Sequence, residues 1–315
     1  MLRALVLYVA FTTPTAGLCL RTPTAGLRPA HLARVTVSPR ATAVLPTVGV
    51  LAAVSTAPTL LGYWKTEYGV SYAYGAAMAA CGGLVLPAAA SPLAKAHALV
   101  LVLYGVRLNL FLLYRELCIP RFRKMREQIE SRTKDKGGRL KRTPFVLGCS
   151  LLYYCMGAPL MLTAMAPSLS LTGPLQAFLQ IEVSLMYLGF SIAAVGDLQK
   201  SIIKARKGED ALVTGGIYRL LRHPNYTGEC LLWGSSLAAA LTAASLGGRA
   251  LSLSTIALVG WIAASVVGFA GIGFVLAQAA GGLEKRQKEK YGVQAGIGGG
   301  PYEKWVAGSW AGPTL

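Results

Sequence analysis

"GGIYRLLRHPNYTGECLLWGSSLAAAL", residues 215 to 241, sets three glycines, two tyrosines, two arginines, a histidine, a proline and a glutamate directly before an apolar run. Gly215 and Gly216 supply a turn, and Pro224 suits the first turn of a helix, where its missing N–H has no intrahelical partner to lose. The spacing predicts a helix starting at 223 to 225 and running on through the apolar residues. Its N-terminus, with free N–H groups and the positive end of the dipole, then sits at a charged surface. Arg219, Arg222 and His223 stand just ahead of it, a combination that favours a phosphate or carboxylate. Within that helix Tyr226, Glu229, Cys230 and Trp233 fall at i, i+3, i+4 and i+7 and share one face. An interfacial belt accounts for the tyrosine and tryptophan. It does not account for Glu229, which opens an otherwise uncharged span where an ionisable group is costly unless it pairs or binds something.

Working outward, the rest of the chain repeats this alternation of charged and apolar stretches. Of 315 residues, 54% are hydrophobic and 14% charged, against about 25% charged in soluble domains. Apolar runs near 44 to 63, 69 to 90, 97 to 114, 144 to 166, 175 to 196, 230 to 247 and 251 to 280 approach the roughly 20 residues that cross a bilayer. The expected fold is an all-α polytopic transmembrane bundle of about seven spans, six to eight, with the last run tilted, kinked near Gly268, Gly271 and Gly273, or split. No strand-type alternation supports a β-barrel.

The net charge of +18 sits in segments between the apolar runs, as topology requires, and not in a nucleic-acid-binding stripe. The segments at 115 to 142, 200 to 229 and from 284 onward are separated by pairs of spans, so all three belong to one face, the cytosolic or stromal type. For 115 to 142 the plain reading is orientation plus attraction to anionic headgroups. The six cysteines form no CxxC pair and three histidines are too few for a His-rich centre, so no metal site is expected.

From Met1 to Thr66 there is no acidic residue, while arginines are spread through a Thr-, Pro- and Ala-rich stretch. Residues 1–40 therefore read as a targeting presequence, signal plus transit-like, with a plastid membrane as the expected destination and the endoplasmic reticulum or mitochondrial membrane as alternatives. Residues 41–96 read as N-terminal transmembrane helices and 97–315 as the main membrane domain. Inside the spans, Arg107 and Glu182 each stand among apolar neighbours, and a pair between them would offset both costs. Asp197 closes its span near the opening motif. "GFAGIG" at 268 to 273 lacks the dinucleotide spacing, and there is no P-loop and no GxSxG.

"GDLQK…GGIYRLLRHPNYTGECLLWGS", with "LYGVRLNLFLLYRE" upstream and "LEKRQKEKYG…PYEKW…GP" downstream, resembles the C-terminal domain of the steroid 5-alpha-reductase-like membrane proteins, in the branch of unknown substrate. The resemblance covers residues 97 to 315. It implies NADPH held at the charged face, with Arg219, Arg222 and His223 at its phosphates, Asn225, Tyr226 and Glu229 lining the pocket, and Asp197, Lys200, Glu284 and Tyr302 nearby. His223, Tyr226 and Glu229 are the expected catalytic groups, and Trp233, with Arg107 and Glu182, belongs to the substrate side or to an intramembrane pair. The implied reaction reduces a C=C bond in a sterol, polyprenoid or pigment-related lipid.

The same core is similar to isoprenylcysteine and phospholipid methyltransferases, which implies S-adenosylmethionine instead. A paired glutamate before the last aromatic residues, expected of those enzymes, is missing, and no counterpart of the reductases' N-terminal catalytic Tyr and Glu is recognisable. A third reading is a non-catalytic lipid-binding protein on the same scaffold. The expected partners are the bilayer and a lipophilic small molecule. The residues meet only in the fold, and the expectation is that His223, Tyr226 and Glu229 converge with Arg219 or Arg222, Asp197 and Glu284 at the charged face.

Overall fold

The computed structural model describes residues 45–134, 138–167, 173–292 and 300–314. The presequence at 1–40, and with it the localisation, lies outside them. Among the described residues the chain is helical and has no strand. We label the helices α1 (Val48–Thr56), α2 (Tyr72–Val85), α3 (Pro92–Cys118), α4 (Pro120–Lys134), α5 (Thr143–Met165), α6 (Gly173–Lys207), α7 (Pro224–Ala244), α8 (Thr255–Tyr291) and α9 (Pro301–Ala307). One-turn segments connect several of them. Residues 42–315 form one compact unit, so α1 and α2 pack into the same body as the helices after residue 97.

Each of the seven apolar runs contributes helix, but among the described residues four helices are long and apolar enough to cross a membrane: α3, α5 with the turn from Arg139 before it, α6 and α8. The 14 residues of α2 rise about 21 Å, short of the roughly 30 Å hydrocarbon core. The first run breaks after Thr56 into one-turn pieces. With its 21 residues α7 is long enough, but Glu229, Ser235 and Ser236 lower its hydropathy and are buried inside the bundle. The last run neither splits nor stops at its glycines; it is a continuous 37-residue helix that carries Glu284 beyond the apolar stretch.

Outward faces of α3, α6 and α8 expose Leu103, Leu110, Phe178, Ile181, Val195, Val259, Val267 and Phe274. A surface this apolar fits hydrocarbon, not water. Lipid-facing hydroxyls are satisfied within their own helix, Ser184 donating to the Gln180 carbonyl at 2.7 Å and Ser191 to that of Tyr187 at 2.8 Å, as an apolar surround demands.

Small residues bring the helices together. Gly189 of α6 faces Gly228 of α7 so closely that a Cβ on Gly228 would lie 2.4 Å from the Gly189 carbonyl oxygen. Two turns along α6 toward the charged face, Gly196 meets the Pro224 ring. With little apolar driving force between helices in lipid, such backbone approach is what packs them.

The opening motif is locked to the end of α6. Gly216 has φ +59°, left-handed backbone that glycine adopts without cost. The Gln199 side chain spans this turn, donating to the Gly215 carbonyl at 2.6 Å and accepting from the Ile217 N–H at 3.1 Å. Tyr218 donates to the Gly196 carbonyl at 3.1 Å. Gly216→Ala combines an unfavourable φ, worth about 1–2 kcal/mol, with a Cβ placed against the Gln199 amide. A drop in the detergent melting temperature is expected, and a melt unchanged within error would show that the turn is not fixed as described.

The three charged segments do share one end of the bundle. Asp210, between α6 and α7, pairs with Arg121 of α4 at 3.4 Å and also with Lys290 of α8. Segment 115 to 142 does more than orient the chain. Arg126, 7% exposed, bridges Glu67 and Glu116, and Arg142, 8% exposed, holds Glu130 at 2.7 Å. Glu116 also accepts from the Tyr68 and Tyr72 hydroxyls at 2.5 and 2.7 Å. Buried charges persist when paired in this way, and the result straps α4 to the start of α2.

Candidate functional site

His223 caps α7 and Pro224 opens it, as the spacing predicts. The imidazole is 1% exposed, and its Nε2 lies 2.7 Å from Glu284 Oε1, which also accepts from Arg222 Nε at 2.7 Å. Burial lowers the His223 pKa below its ordinary value against the opposing pull of Glu284. In the neutral ring Nε2 must then carry the proton, because a carboxylate only accepts. Arg222 is further committed to the chain itself: its Nη1 donates to the Val306 and Ser309 carbonyls at 2.9 and 2.6 Å. Its backbone N–H donates to the Trp310 carbonyl at 2.9 Å. Trp305 Nε1 donates to the Tyr218 carbonyl at 2.6 Å. The C-terminal segment is thereby stapled onto the motif.

Arg107 does not pair with Glu182. Its Nη2 lies 2.5 Å from Asp197 and 3.0 Å from the Ala193 carbonyl, whereas Glu182 accepts from Thr242 at 2.8 Å. The reason is height. Both α3 and α6 run toward the charged face, and Arg107 and Asp197 lie at similar distances from their helix ends. Glu182 is 15 residues before Asp197, about 22 Å deeper along the helix. The second guanidinium nitrogen, Nη1 of Arg107, is buried with no partner.

Glu229 is 7% exposed and inside the bundle. Its Oε2 accepts from Tyr104 of α3 at 2.7 Å and from Tyr74 of α2 at 3.2 Å, and Tyr74 in turn accepts from Trp233 Nε1 at 2.7 Å. An indole N–H only donates, so the chain runs in one direction, from Trp233 through Tyr74 to the carboxylate. Tyr104 packs edge-on to Trp233 with ring centroids 5.4 Å apart, and Tyr153 of α5 stacks on Tyr74 at 5.6 Å. A turn or two further from the charged face, His97 is fully buried with Nδ1 3.0 Å from the Thr163 hydroxyl and Nε2 3.0 Å from that of Ser236.

These pieces form one polar seam. Tyr226 stands between the ends, its ring 6.0 Å from His223 and within the electrostatic range of Glu229, Asp197, Arg115 and Arg286. Lys200 interacts with Asp197 and Arg115. Asn225 is half-buried beside Gly196. Tyr302 is 7% exposed and, with Glu284, lines an open depression of about 770 Å³ between α8 and α9. Arg219 is exposed and joins none of these contacts. Among the described residues no group of His, Cys, Asp and Glu is arranged to hold a metal ion.

Sequence reasoning missed Tyr74, Tyr104 and His97. Tyr104 and Arg107 share the helix face that "LYGVR" presents, and their spacing offered a signal. Tyr74 lies in the Ala- and Gly-rich run that reads as a separate N-terminal segment, and nothing local marks it.

The fold and seam define a class: a helical, membrane-embedded protein whose buried polar interior runs toward one cationic face. Residues 64–292 match the family described as "Protein of unknown function (DUF1295)". The chain belongs to that family, and the match takes in α2 with Tyr74 as well as the later helices. No curated protein and no solved structure matches the chain.

Proposed function

We propose that the protein is a membrane oxidoreductase of the steroid 5-alpha-reductase-like type, using NADPH to reduce a C=C bond in a lipophilic molecule drawn from the bilayer. The observation that carries this reading is the Glu229 carboxylate, buried among aromatic rings and within reach of two tyrosine hydroxyls. An apolar molecule with one polar, reducible end suits such a place. The motif's resemblance to the reductases supports the same reaction class.

The residues fit the cofactor. A buried guanidinium nitrogen on Arg107 without an acceptor and the cations Arg115, Lys200 and Arg286 gathered around Tyr226 and Asp197 make a donor set suited to phosphate oxygens. These four, with Asn225 and Tyr226 as lining, would hold NADPH, and Arg222 would act by fixing the C-terminal segment instead. The cofactor when bound supplies hydride. The chain's own part is to exclude water and to hold a proton at Tyr104 Oη, parked on the Glu229 carboxylate; turned from the carboxylate to the substrate, the hydroxyl gives up that proton, and Tyr104 is reprotonated before the next turnover.

The test is thermal stabilisation of the detergent-purified chain, titrated in parallel with NADPH and S-adenosylmethionine. A ligand at 100 times its Kd adds about 2.7 kcal/mol. NADPH is expected to stabilise the wild type and to lose that effect in Lys200→Gln. A response to S-adenosylmethionine alone would replace the reading with methyl transfer, and no response to either would favour a non-catalytic lipid-binding role.

A further inference from the structure

Two sets of cations stand out in the 115 to 142 segment, besides Arg115 and the Asp210 partner Arg121. Arg126 and Arg142 are buried and committed to Glu67, Glu116 and Glu130. Arg123, Lys124 and Arg132 on α4, with Arg139 and Lys141 just after it, are exposed and have no acidic partner among the described residues. A strap that needed charge only for its own attachment would not carry this second set. It is also accompanied by exposed apolar side chains, Leu117 at 68%, Met125 at 40% and Leu140 at 82%.

The position of the strap decides what such a face meets. It joins the end of α3 to the start of α5, both long and apolar enough to cross a membrane, so α4 lies at the level where hydrocarbon gives way to headgroups. Leu110, Leu113 and Leu117 of α3 and Phe145 and Leu147 of α5 remain exposed up to that level. Cations interleaved with apolar side chains at this depth match anionic headgroups above acyl chains.

We propose that the outer face of α4 and the turn from Arg139 form a docking surface for anionic phospholipid, with Lys124, Arg132 and Lys141 on the headgroup phosphates and Leu140 and Met125 in the acyl boundary. Its inner face is held by the buried ion pairs, so the surface is presented rigidly and needs no folding on binding.

Phosphatidylglycerol in mixed micelles, titrated onto the full chain with thermal stability as readout, tests this against phosphatidylcholine. Phosphatidylglycerol is expected to stabilise the wild type more, and added salt to weaken the effect. Neutralising three surface cations should raise the half-saturating mole fraction on the order of a hundredfold, so the Lys124→Gln/Arg132→Gln/Lys141→Gln chain should respond to the two lipids alike. The charge-keeping Lys124→Arg/Arg132→Lys/Lys141→Arg chain should respond as wild type, which separates lost charge from lost fold. Equal stabilisation of wild type and triple variant by phosphatidylglycerol would overturn the proposal. So would an equal effect of soluble glycerol phosphate, which would make the face a free-anion site.

Discussion

Glu229→Gln is expected to fold and melt close to the wild type while losing turnover by about 10²–10⁴-fold, the span over which a positioned acid–base group acts. The amide keeps a carbonyl oxygen that can accept from Tyr104 and Tyr74, so the buried hydroxyls stay satisfied, but it no longer offers a charge to hold the Tyr104 proton. Glu229→Ala separates the two roles. Without an acceptor, the Tyr104 hydroxyl, fully buried, is stranded, and leaving a buried neutral donor unsatisfied costs about 1–3 kcal/mol. The Ala chain should therefore melt well below the Gln chain. Consumption of NADPH with a lipid extract as substrate source, read beside detergent melts, checks both. Full turnover in Glu229→Gln would remove the carboxylate from the chemistry, whatever the melts show.

The second large effect is expected at Gly228. A Cβ there meets backbone, the Gly189 carbonyl oxygen at 2.4 Å and the Ala193 nitrogen at 2.6 Å, and no rotamer change relieves it. Gly228→Ala forces α6 and α7 apart, at a cost of about 1–3 kcal/mol or more, and displaces Tyr226 and Glu229 from Asp197. Gly234 on the same helix is the control. Its Cβ would find only the Phe269 ring at 3.5 Å, and alanine is the better helix former by about 1 kcal/mol. Gly228→Ala should lower the melting temperature and Gly234→Ala should hold or raise it. Equal melts for the two would mean that the helices do not approach as described.

The sequence made the helical class, the start of α7 and the shared end of the charged segments legible, because hydropathy runs, a proline at a helix start and charge bias are local signals. Long-range partners were not legible. Arg107 and Glu182 are both conspicuous as charges among apolar residues, yet which acid Arg107 reaches depends on relative height along α3 and α6, which composition does not reveal. Arg222 reads as an anion ligand beside a helix N-terminus, while the carbonyls that engage it come from residues 306 and 309. Tyr74 sits 155 residues from Glu229 in sequence, and only the packing of α2 on α3 unites them.

The staple between the motif and the C-terminal segment has a consequence for biogenesis. Arg222 waits for carbonyls synthesised more than 80 residues later, and His223 for Glu284. At about 5–20 residues per second, translation leaves the start of α7 without its partners for several seconds after it emerges. The helices can be inserted in order during that interval, but the mouth of the seam can close only after the last helix has been delivered and the chain behind it has folded back. Maturation of this protein is thus a post-insertional event, completed from the C-terminal side.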